Sequence, residues 1–199
     1  TISNVVFEGG NTSTTSGVIL FSTGENSDNT ITSCLIKDRS DVAGRPSRGI
    51  YFGASTNSGN IIEQCEIVDF TAVGIQIATG TNTIIRNNEV HLTTNSTATT
   101  IYGIQVANAP GADLIANYVH DLGSTGATPT IAGIHYSGAN GVNMMVRAIN
   151  NLVVIGNQNT AGIIRGIDYF GWSANSFEAY FNSVYILGSG ITGTSQTAA

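Results

Sequence analysis

Hydrophobic and polar positions recur along the chain in a short motif, Gly-Ile-x-apolar, in which the third residue varies. Successive motif glycines are 25 to 33 residues apart, a spacing typical of repeat architectures. Apolar side chains at alternate positions indicate β-strands rather than helices. The six copies, the first with Val in place of Ile, occupy residues 17–20, 49–52, 74–77, 103–106, 133–136 and 166–169.

A second motif, Ile-x-x-Asn-x-(Val/Ile), follows the first and is clearest at residues 85–90. Asparagine tolerates the left-handed backbone of a sharp turn, and stacked asparagine amides can hydrogen-bond from one repeat to the next. Two copies carry cysteine at the asparagine position. We therefore predict one ladder column formed by Asn4, Cys34, Cys65, Asn88, Asn117, Asn151 and Asn182.

Each repeat predicts three short strands: the Gly-Ile motif, a second strand such as 83–86, and a third that begins near Val90. Such strands cannot bury themselves alone, but repeats stacked about 4.8 Å apart form parallel sheets around an apolar core. The sequence therefore predicts an all-β fold, a single-stranded parallel β-helix (β-solenoid). We expect one domain over residues 1–199, with about six to seven rungs of roughly 30 residues and three parallel sheets.

Composition supports this fold and narrows the classes of function. Isoleucine outnumbers leucine 24 to 7, which favours strands because β-branched side chains fit a pleated sheet. The net charge of −6 disfavours nucleic acid and anionic membranes as partners. No apolar run approaches the roughly 18 residues of a membrane helix. We predict no nucleic-acid partner, no membrane insertion and no cofactor; a Ca²⁺ site stays open, but no motif indicates one.

The two repeating motifs resemble those of right-handed parallel β-helices of the pectate-lyase-like superfamily. The resemblance covers nearly the whole chain, and residues 181–190 also resemble repeats of large secreted bacterial surface proteins. It implies a right-handed β-helix, but the superfamily includes lyases, hydrolases, phage tailspikes and adhesins. The Asn-Thr-Asp, Gly-His-Gly and Arg-Ile-Lys motifs of its polygalacturonase-type enzymes are absent, and the single lysine, Lys37, lies on a different strand.

Enzymes of this superfamily bind substrate across the sheet that the Gly-Ile strand forms here. The outward column predicted for this sheet is Ile19, Tyr51, Gln76, Gln105, His135 and Asp168. His135 and Asp168 fall on neighbouring rungs and could form an oriented general base, with Arg165 nearby. The alternative is a surface histidine beside a surface aspartate, so no catalytic residue is assigned firmly.

Candidate ligand-binding residues lie in the same column and in two flanking segments. Arg45 and Arg48, in the charged loop 38–48, could clamp carboxylates or belong to local ion pairs. Trp172 could stack on a sugar ring or fill the widening end of the core. The ligand-binding prediction therefore comprises Tyr51, Gln76, Gln105, His135, Trp172, Arg45 and Arg48.

Two further pairs of residues stack on adjacent rungs. Cys34 and Cys65 could form a disulfide, or remain buried thiols in the ladder. His91 and His120 should both face outward, near Asp69 and Asp121 in register. Histidines with carboxylates can bind zinc or copper, but no close-spaced ligand pair such as His-x-His supports this. Two exposed histidines are the simpler interpretation, and no metal site is predicted.

The preferred function is a non-catalytic structural or adhesive β-helix segment of a larger extracellular or cell-surface protein, or of a filament. The alternatives are a polysaccharide lyase or glycoside hydrolase, or a glycan-binding module that uses the Gly-Ile sheet. No capping pattern is visible near Asn4 or after Ser195. We therefore expect the solenoid to be cut at both ends, and flanking segments or a second copy to cover them.

Overall fold

The computed structural model describes residues 1–41, 43–54, 57–138, 145–156, 162–171 and 176–187, together with the backbone of 197–198. Over these residues the chain forms 21 strands and no helix. The strands make three parallel sheets of seven strands each, wound as a β-solenoid of about six turns. The predicted all-β solenoid with three parallel sheets is confirmed.

Each turn contributes one strand to each sheet, so every third strand joins the same sheet. Sheet A contains, in spatial order, β1 (Ile2–Ser3), β4 (Thr30–Thr32), β7 (Ile61–Glu63), β10 (Ile84–Arg86), β13 (Ala112–Ile115), β16 (Met145–Ile149) and β19 (Ser176–Tyr180). Sheet B contains β2 (Val6–Gly9), β5 (Leu35–Asp38), β8 (Glu66–Val68), β11 (Glu89–His91), β14 (Tyr118–His120), β17 (Leu152–Ile155) and β20 (Ser183–Ile186). Sheet C contains β3 (Ile19–Phe21), β6 (Arg48–Phe52), β9 (Val73–Thr79), β12 (Thr100–Asn108), β15 (Thr130–Ser137), β18 (Ile163–Phe170) and β21 (Thr197–Ala198).

Columns of identical or similar apolar side chains fill the space between the sheets. In sheet C, Ile50, Ile75, Ile104 and Ile134 lie in one register column and are fully buried. Parallel pairing holds the columns in line, because a slip by one residue would turn every inward side chain to solvent. The matching columns are Ile31, Ile62, Ile85 and Leu114 in sheet A, and Ile36, Ile67, Val90 and Val119 in sheet B.

The motif glycine is required by a close approach between sheets C and B rather than by its backbone torsion. A Cβ built on Gly103 would collide with the side chain of Val119 in sheet B and lie 2.7 Å from the carbonyl oxygen of Gly133. Gly74 and Gly133 meet Val90 and Val153 in the same way. The repeated glycine therefore marks the position at which each strand of sheet C passes over the core of sheet B.

The asparagine ladder is present and continuous from Asn88 to Asn182. The Asn117 side-chain amide donates to Asn151 Oδ1 at 3.0 Å and to the Ile85 carbonyl oxygen at 2.9 Å. Its own Oδ1 accepts from the backbone N–H and side-chain amide of Asn88, at 3.1 and 3.0 Å. Asn117 is 1% exposed, so these bonds satisfy polar groups that water cannot reach.

The two cysteines extend the same column as buried free thiols rather than as a disulfide. The Cys65 backbone N–H donates to Asn88 Oδ1 at 3.0 Å, and the Cys34 N–H approaches Cys65 Sγ at 3.5 Å. Burial raises the pKa of the Cys65 thiol to about 11, so it stays protonated and donates to the carbonyl of Glu63. The cysteines thus occupy the ladder with a weaker donor and acceptor than an amide.

Asn4 does not belong to the ladder, which corrects the prediction. It adopts φ 56° and aligns with the residue before each ladder position, since its N–H bonds to the carbonyl of Thr32. Val5 occupies the ladder position of that turn, as shown by the bond from the Leu35 N–H to its carbonyl. The left-handed turn residues form their own column, which is Asn4, Ser33, Gln64, Asn87, Ala116, Asn150 and Phe181.

The first copy of the Gly-Ile motif is also shifted by one residue from its predicted alignment. Ile19 pairs with Ile50, so Ile19 falls in the inward column and Leu20 is the residue in register with Tyr51. The loose sequence match of that copy allowed either register, and the apolar side chain of Leu20 gave no signal that it faces outward. In the structure Leu20 is 43% exposed.

Replacing Gly103 by alanine should destabilise the protein by about 1–3 kcal/mol or more, because Val119 and a carbonyl oxygen must both move. The free energy of unfolding in urea measures this loss. Gly126→Ala is the matched control, since its Cβ would meet the side chains of Ser124 and Thr99 at 3.2 Å and the Ala98 carbonyl oxygen at an ordinary 3.6 Å. Equal losses in the two variants would contradict the close-approach explanation.

Replacing Asn117 by leucine should cost on the order of 1–3 kcal/mol, because it removes the acceptor of the Asn88 backbone N–H and of one Asn88 side-chain N–H, and the donor to the Ile85 carbonyl. Chemical denaturation of the variant and of wild type gives the difference. Cys65→Asn, which places another amide in the column, should lose no stability. Should Asn117→Leu unfold at the wild-type urea midpoint, the ladder would not be a stabilising element.

Candidate functional site on the outward face of sheet C

The residues predicted to form the outward column, from Tyr51 onward, are in register on successive strands of sheet C. Tyr51 pairs with Gln76, Gln76 with Gln105, Gln105 with His135, and His135 with Asp168. All five side chains are on the face opposite the isoleucine core, and consecutive members come from neighbouring turns. The sequence therefore located this column correctly from Tyr51 onward.

A second outward column runs beside the first, and the sequence prediction missed it as a column. Parallel pairing in sheet C skips the motif glycine, so strict alternation is interrupted there. As a result Tyr102 and Gln105, three residues apart, are both half-exposed on the same face. The residue directly before each motif glycine forms this column, which contains Arg48, Val73, Tyr102, Ala132 and Arg165. That position is the sequence signal that could have identified Tyr102.

We call the two columns together the sheet C strip: Tyr51, Gln76, Gln105, His135 and Asp168 in one, and Arg48, Val73, Tyr102, Ala132 and Arg165 in the other. Eight of its ten members carry an aromatic ring, an amide or a charged group, and the other two, Val73 and Ala132, are buried apolar residues. These groups make contacts along the solenoid axis as well as across it. The strip contains every predicted site residue except Arg45 and Trp172.

His135, Asp168 and Arg165 form a hydrogen-bonded cluster at one end of the strip. His135 Nδ1 lies 2.8 Å from Asp168 Oδ2, and Arg165 Nη1 donates to the same oxygen at 3.0 Å. His135 and Asp168 lie in register on the adjacent strands β15 and β18 of neighbouring turns. Arg165 precedes Asp168 by three residues on β18. The carboxylate is thus held by two donors, and it fixes the orientation of the imidazole ring.

Tyr102 covers the imidazole of His135 from the preceding turn. The two rings are stacked with centroids 4.2 Å apart and an interplanar angle of 7°. His135 is 8% exposed, and this burial lowers its pKa below the ordinary value, against the opposing effect of Asp168. Burial and the nearby Asp168 charge raise the pKa of Tyr102, so that its hydroxyl stays protonated. The cluster therefore presents a neutral imidazole and a phenol, both polar and uncharged.

The other end of the strip is organised by Arg48. Its guanidinium carbon lies 4.7 Å from the ring centroid of Tyr51, a cation–π geometry, and its Nε donates to Gln76 Oε1. Burial lowers the pKa of Arg48 from its usual range, although not enough to discharge a guanidinium. Arg48, Tyr51 and Gln76 thus form a second polar and aromatic cluster.

Arg45, a predicted ligand-binding residue, does not join the strip in the structure. Arg45 lies on the loop before β6, where it donates to the Thr94 carbonyl at 2.9 Å and pairs with Asp69 at 3.5 Å. Its guanidinium is thus held by Thr94 and Asp69, both outside loop 38–48, and its role in ligand binding stays a prediction. Trp172 lies outside the described residues.

The burial of His135 sets a pH dependence for stability. Because the folded-state pKa of His135 is below the ordinary value of 6.5, the unfolded chain binds its proton more readily. The stabilisation is fully present above pH 6.5 and is lost as pH falls through the lower folded-state pKa. We expect wild type to lose more stability between pH 7.5 and pH 5 than His135→Gln, measured by urea denaturation. Parallel losses in both proteins would contradict this.

Comparison with known proteins supports the same architecture. Residues 1–184 match the family described as the right handed beta helix region. No curated protein and no solved structure gives a match. Over the described residues, no helix has the length and apolar character that a membrane span needs. The chain thus belongs to the right-handed β-helix family.

Proposed function

We propose that this chain is a non-catalytic, extracellular β-helix segment that adheres to neutral carbohydrate through the sheet C strip. The observation that carries the proposal is the composition and pairing of the strip. Aromatic rings and amides line a single face, where Arg165 is paired with Asp168 and Arg48 is held by the neutral Gln76 side chain and the Tyr51 ring. Such a face offers ring surfaces and hydrogen-bonding groups, and its charged groups already have partners.

The aromatic and amide groups suit sugar rings and hydroxyls. Tyrosine combines a flat apolar surface with a polar end, and glutamine both donates and accepts hydrogen bonds. Gln76 and Gln105 occur at equivalent positions of adjacent turns, so an extended chain along the solenoid axis would meet the same groups repeatedly. This repetition favours a polymer over a small ligand.

Charge favours neutral over acidic polysaccharides. The chain carries a formal charge of −6, which repels polyanions at a distance. On the strip, Arg165 is bound by Asp168, and Arg48 by Gln76 and the ring of Tyr51. A sugar carboxylate would have to displace these partners before it could form a bidentate pair.

The placement outside the cell and within a larger assembly is part of the proposal. Low charge, abundant Thr, Asn, Ser and Gly, and the family membership support a secreted or surface-exposed scaffold. Inward apolar side chains of the first described turn, such as Ile2 and Val5, are 47% and 38% exposed. We expect flanking segments or a second copy of the chain to cover them, because exposed strand edges favour association.

A glycan array followed by calorimetry with the strongest neutral oligosaccharide tests the adhesive function. Tyr51→Ala and Tyr102→Ala should each weaken binding at least tenfold, which corresponds to about 1.4 kcal/mol, because each removes a ring from the strip. Tyr180→Ala is the matched control, since Tyr180 is an exposed tyrosine of sheet A. No binding by wild type, or equal weakening by Tyr180→Ala, would overturn the proposal.

One observation favours an enzyme as the second candidate. The 2.8 Å contact between His135 Nδ1 and Asp168 orients a neutral imidazole, the arrangement of a general base. Wild type would then cleave a polysaccharide, and His135→Ala and Asp168→Ala would lose that activity while remaining folded. Detection of such cleavage would replace the non-catalytic assignment, whereas binding without products supports it.

A further inference from the structure

A checkerboard of glutamates and histidines lies on the outward face of sheet B, away from the sheet C strip. Glu66 and Glu89 are in register on β8 and β11, and His91 and His120 are in register on β11 and β14. Glu89 and His91 are two residues apart on one strand, so their side chains point to the same face. The sequence analysis paired the two histidines correctly but did not identify either glutamate beside them.

Each histidine approaches a glutamate of the preceding turn. His91 Nε2 lies 3.0 Å from Glu66 Oε1, and His120 Nε2 lies 2.9 Å from Glu89 Oε1. The two imidazole rings stack with centroids 4.7 Å apart and an interplanar angle of 7°. The ring of Tyr118 also stacks on the imidazole of His120, with centroids 4.1 Å apart. The rings are therefore held firmly, and their side chains are only 15% and 12% exposed.

The second nitrogen of His120 is held by another carboxylate. His120 Nδ1 lies 2.8 Å from Oδ2 of Asp121, the left-handed residue that follows β14. A neutral imidazole has one N–H, and donation from Nδ1 to Asp121 leaves a lone pair at Nε2 facing Glu89. A proton or a metal ion between Nε2 and the Glu89 carboxylate makes this contact favourable, and a metal ion there could also bind His91. A carboxylate behind a ligating histidine is the usual outer-shell arrangement of zinc sites.

We propose that Glu89, His91 and His120 bind a divalent zinc-type metal ion on sheet B, with Asp121 as the positioning residue. One ligand atom from each of the three residues lies within 4.8 Å of the others. Bonds of about 2.0–2.2 Å at a tetrahedral centre place ligand atoms roughly 3.3 Å apart, so small side-chain rotations close the site. Glu66 or water completes the four ligands.

The charge and chemistry of the cluster select the class of ion. Two imidazole nitrogens with one carboxylate oxygen form a set that zinc accepts readily, whereas Ca²⁺ and Mg²⁺ prefer oxygen ligands alone. The carboxylates of Glu66, Glu89 and Asp121 supply negative charge around the ion. The nearest cation in the register column of His91 is Lys37, which lies two turns away and pairs with Glu8 at 2.9 Å. It therefore does not compete for the carboxylates of the cluster. The metal would link β11 to β14 and clamp two turns together.

Calorimetric titration of the tag-free chain with zinc chloride at pH 7.5 tests the site, with thermal unfolding as a second readout. We expect one ion per chain and a rise in Tm with zinc, since an ion that binds only the folded state stabilises it. His91→Ala and His120→Ala should each weaken zinc binding at least about tenfold and reduce the Tm shift. His135→Gln, which alters the histidine of sheet C, should bind zinc as wild type does.

Two further measurements separate a built site from weak surface binding. Asp121→Asn keeps a residue that tolerates the left-handed backbone, and it should weaken zinc binding about 10- to 100-fold without unfolding the chain. Bound Co²⁺ should show the visible absorption of a four-coordinate site. No zinc heat, equal affinity in His91→Ala/His120→Ala and wild type, or a six-coordinate Co²⁺ spectrum would overturn the proposal. Glycan binding by the sheet C strip is measured in a separate experiment, and its outcome does not depend on the zinc site.

Discussion

Parallel pairing at a fixed register is the constraint on which the rest of this molecule depends. Because each strand pairs with the equivalent strand of the next turn, any side chain is contacted above and below by its own repeat equivalents. The core columns of isoleucine, the glycine column and the asparagine ladder are all results of this constraint. So are the functional surfaces, since the strip on sheet C and the cluster on sheet B exist only because side chains distant in sequence are stacked.

Two columns show how the register is enforced at the corners. The corner between sheets A and B places a residue in the left-handed region in every repeat, and at none of the seven described corners is that residue glycine. Non-glycine residues pay about 1–3 kcal/mol for unusual backbone conformations, unless the surroundings hold them there. The ladder amide that follows, such as Asn117 after Ala116, bonds to the turns on either side and holds the corner in place.

The sequence was sufficient for the fold because the periodic signals are local and repeated. The Gly-Ile motif, exemplified by Gly103 and Ile104, repeats often enough to predict three sheets. The asparagine motif, exemplified by Asn117, repeats often enough to predict the ladder. The errors fall on the first turn, at Asn4 and Ile19, where the motif is weakest and a one-residue shift leaves the pattern almost unchanged. The site was recovered in part, since His135 and Asp168 follow from the motif. Tyr102 and Glu89 do not follow from it. Tyr102 faces outward because the alternation of side chains is interrupted at the motif glycine, and Glu89 contacts His120 diagonally across two neighbouring turns. Both effects arise from packing between strands.

The ladder also has a direction. Each asparagine donates, through both its backbone and side-chain N–H groups, to the Oδ1 of the next turn, from Asn88 through Asn151 to Asn182. The Asn182 end of the ladder therefore directs hydrogen-bond donors toward the following turn, whereas Asn88 Oδ1 at the other end of the asparagine run accepts from Cys65. A turn added at the donor end must present an acceptor there, whether it comes from the same chain or from another molecule. Two copies that met at their Asn182 ends would oppose donors to donors, so the ladder favours a polar, head-to-tail contact over a two-fold one.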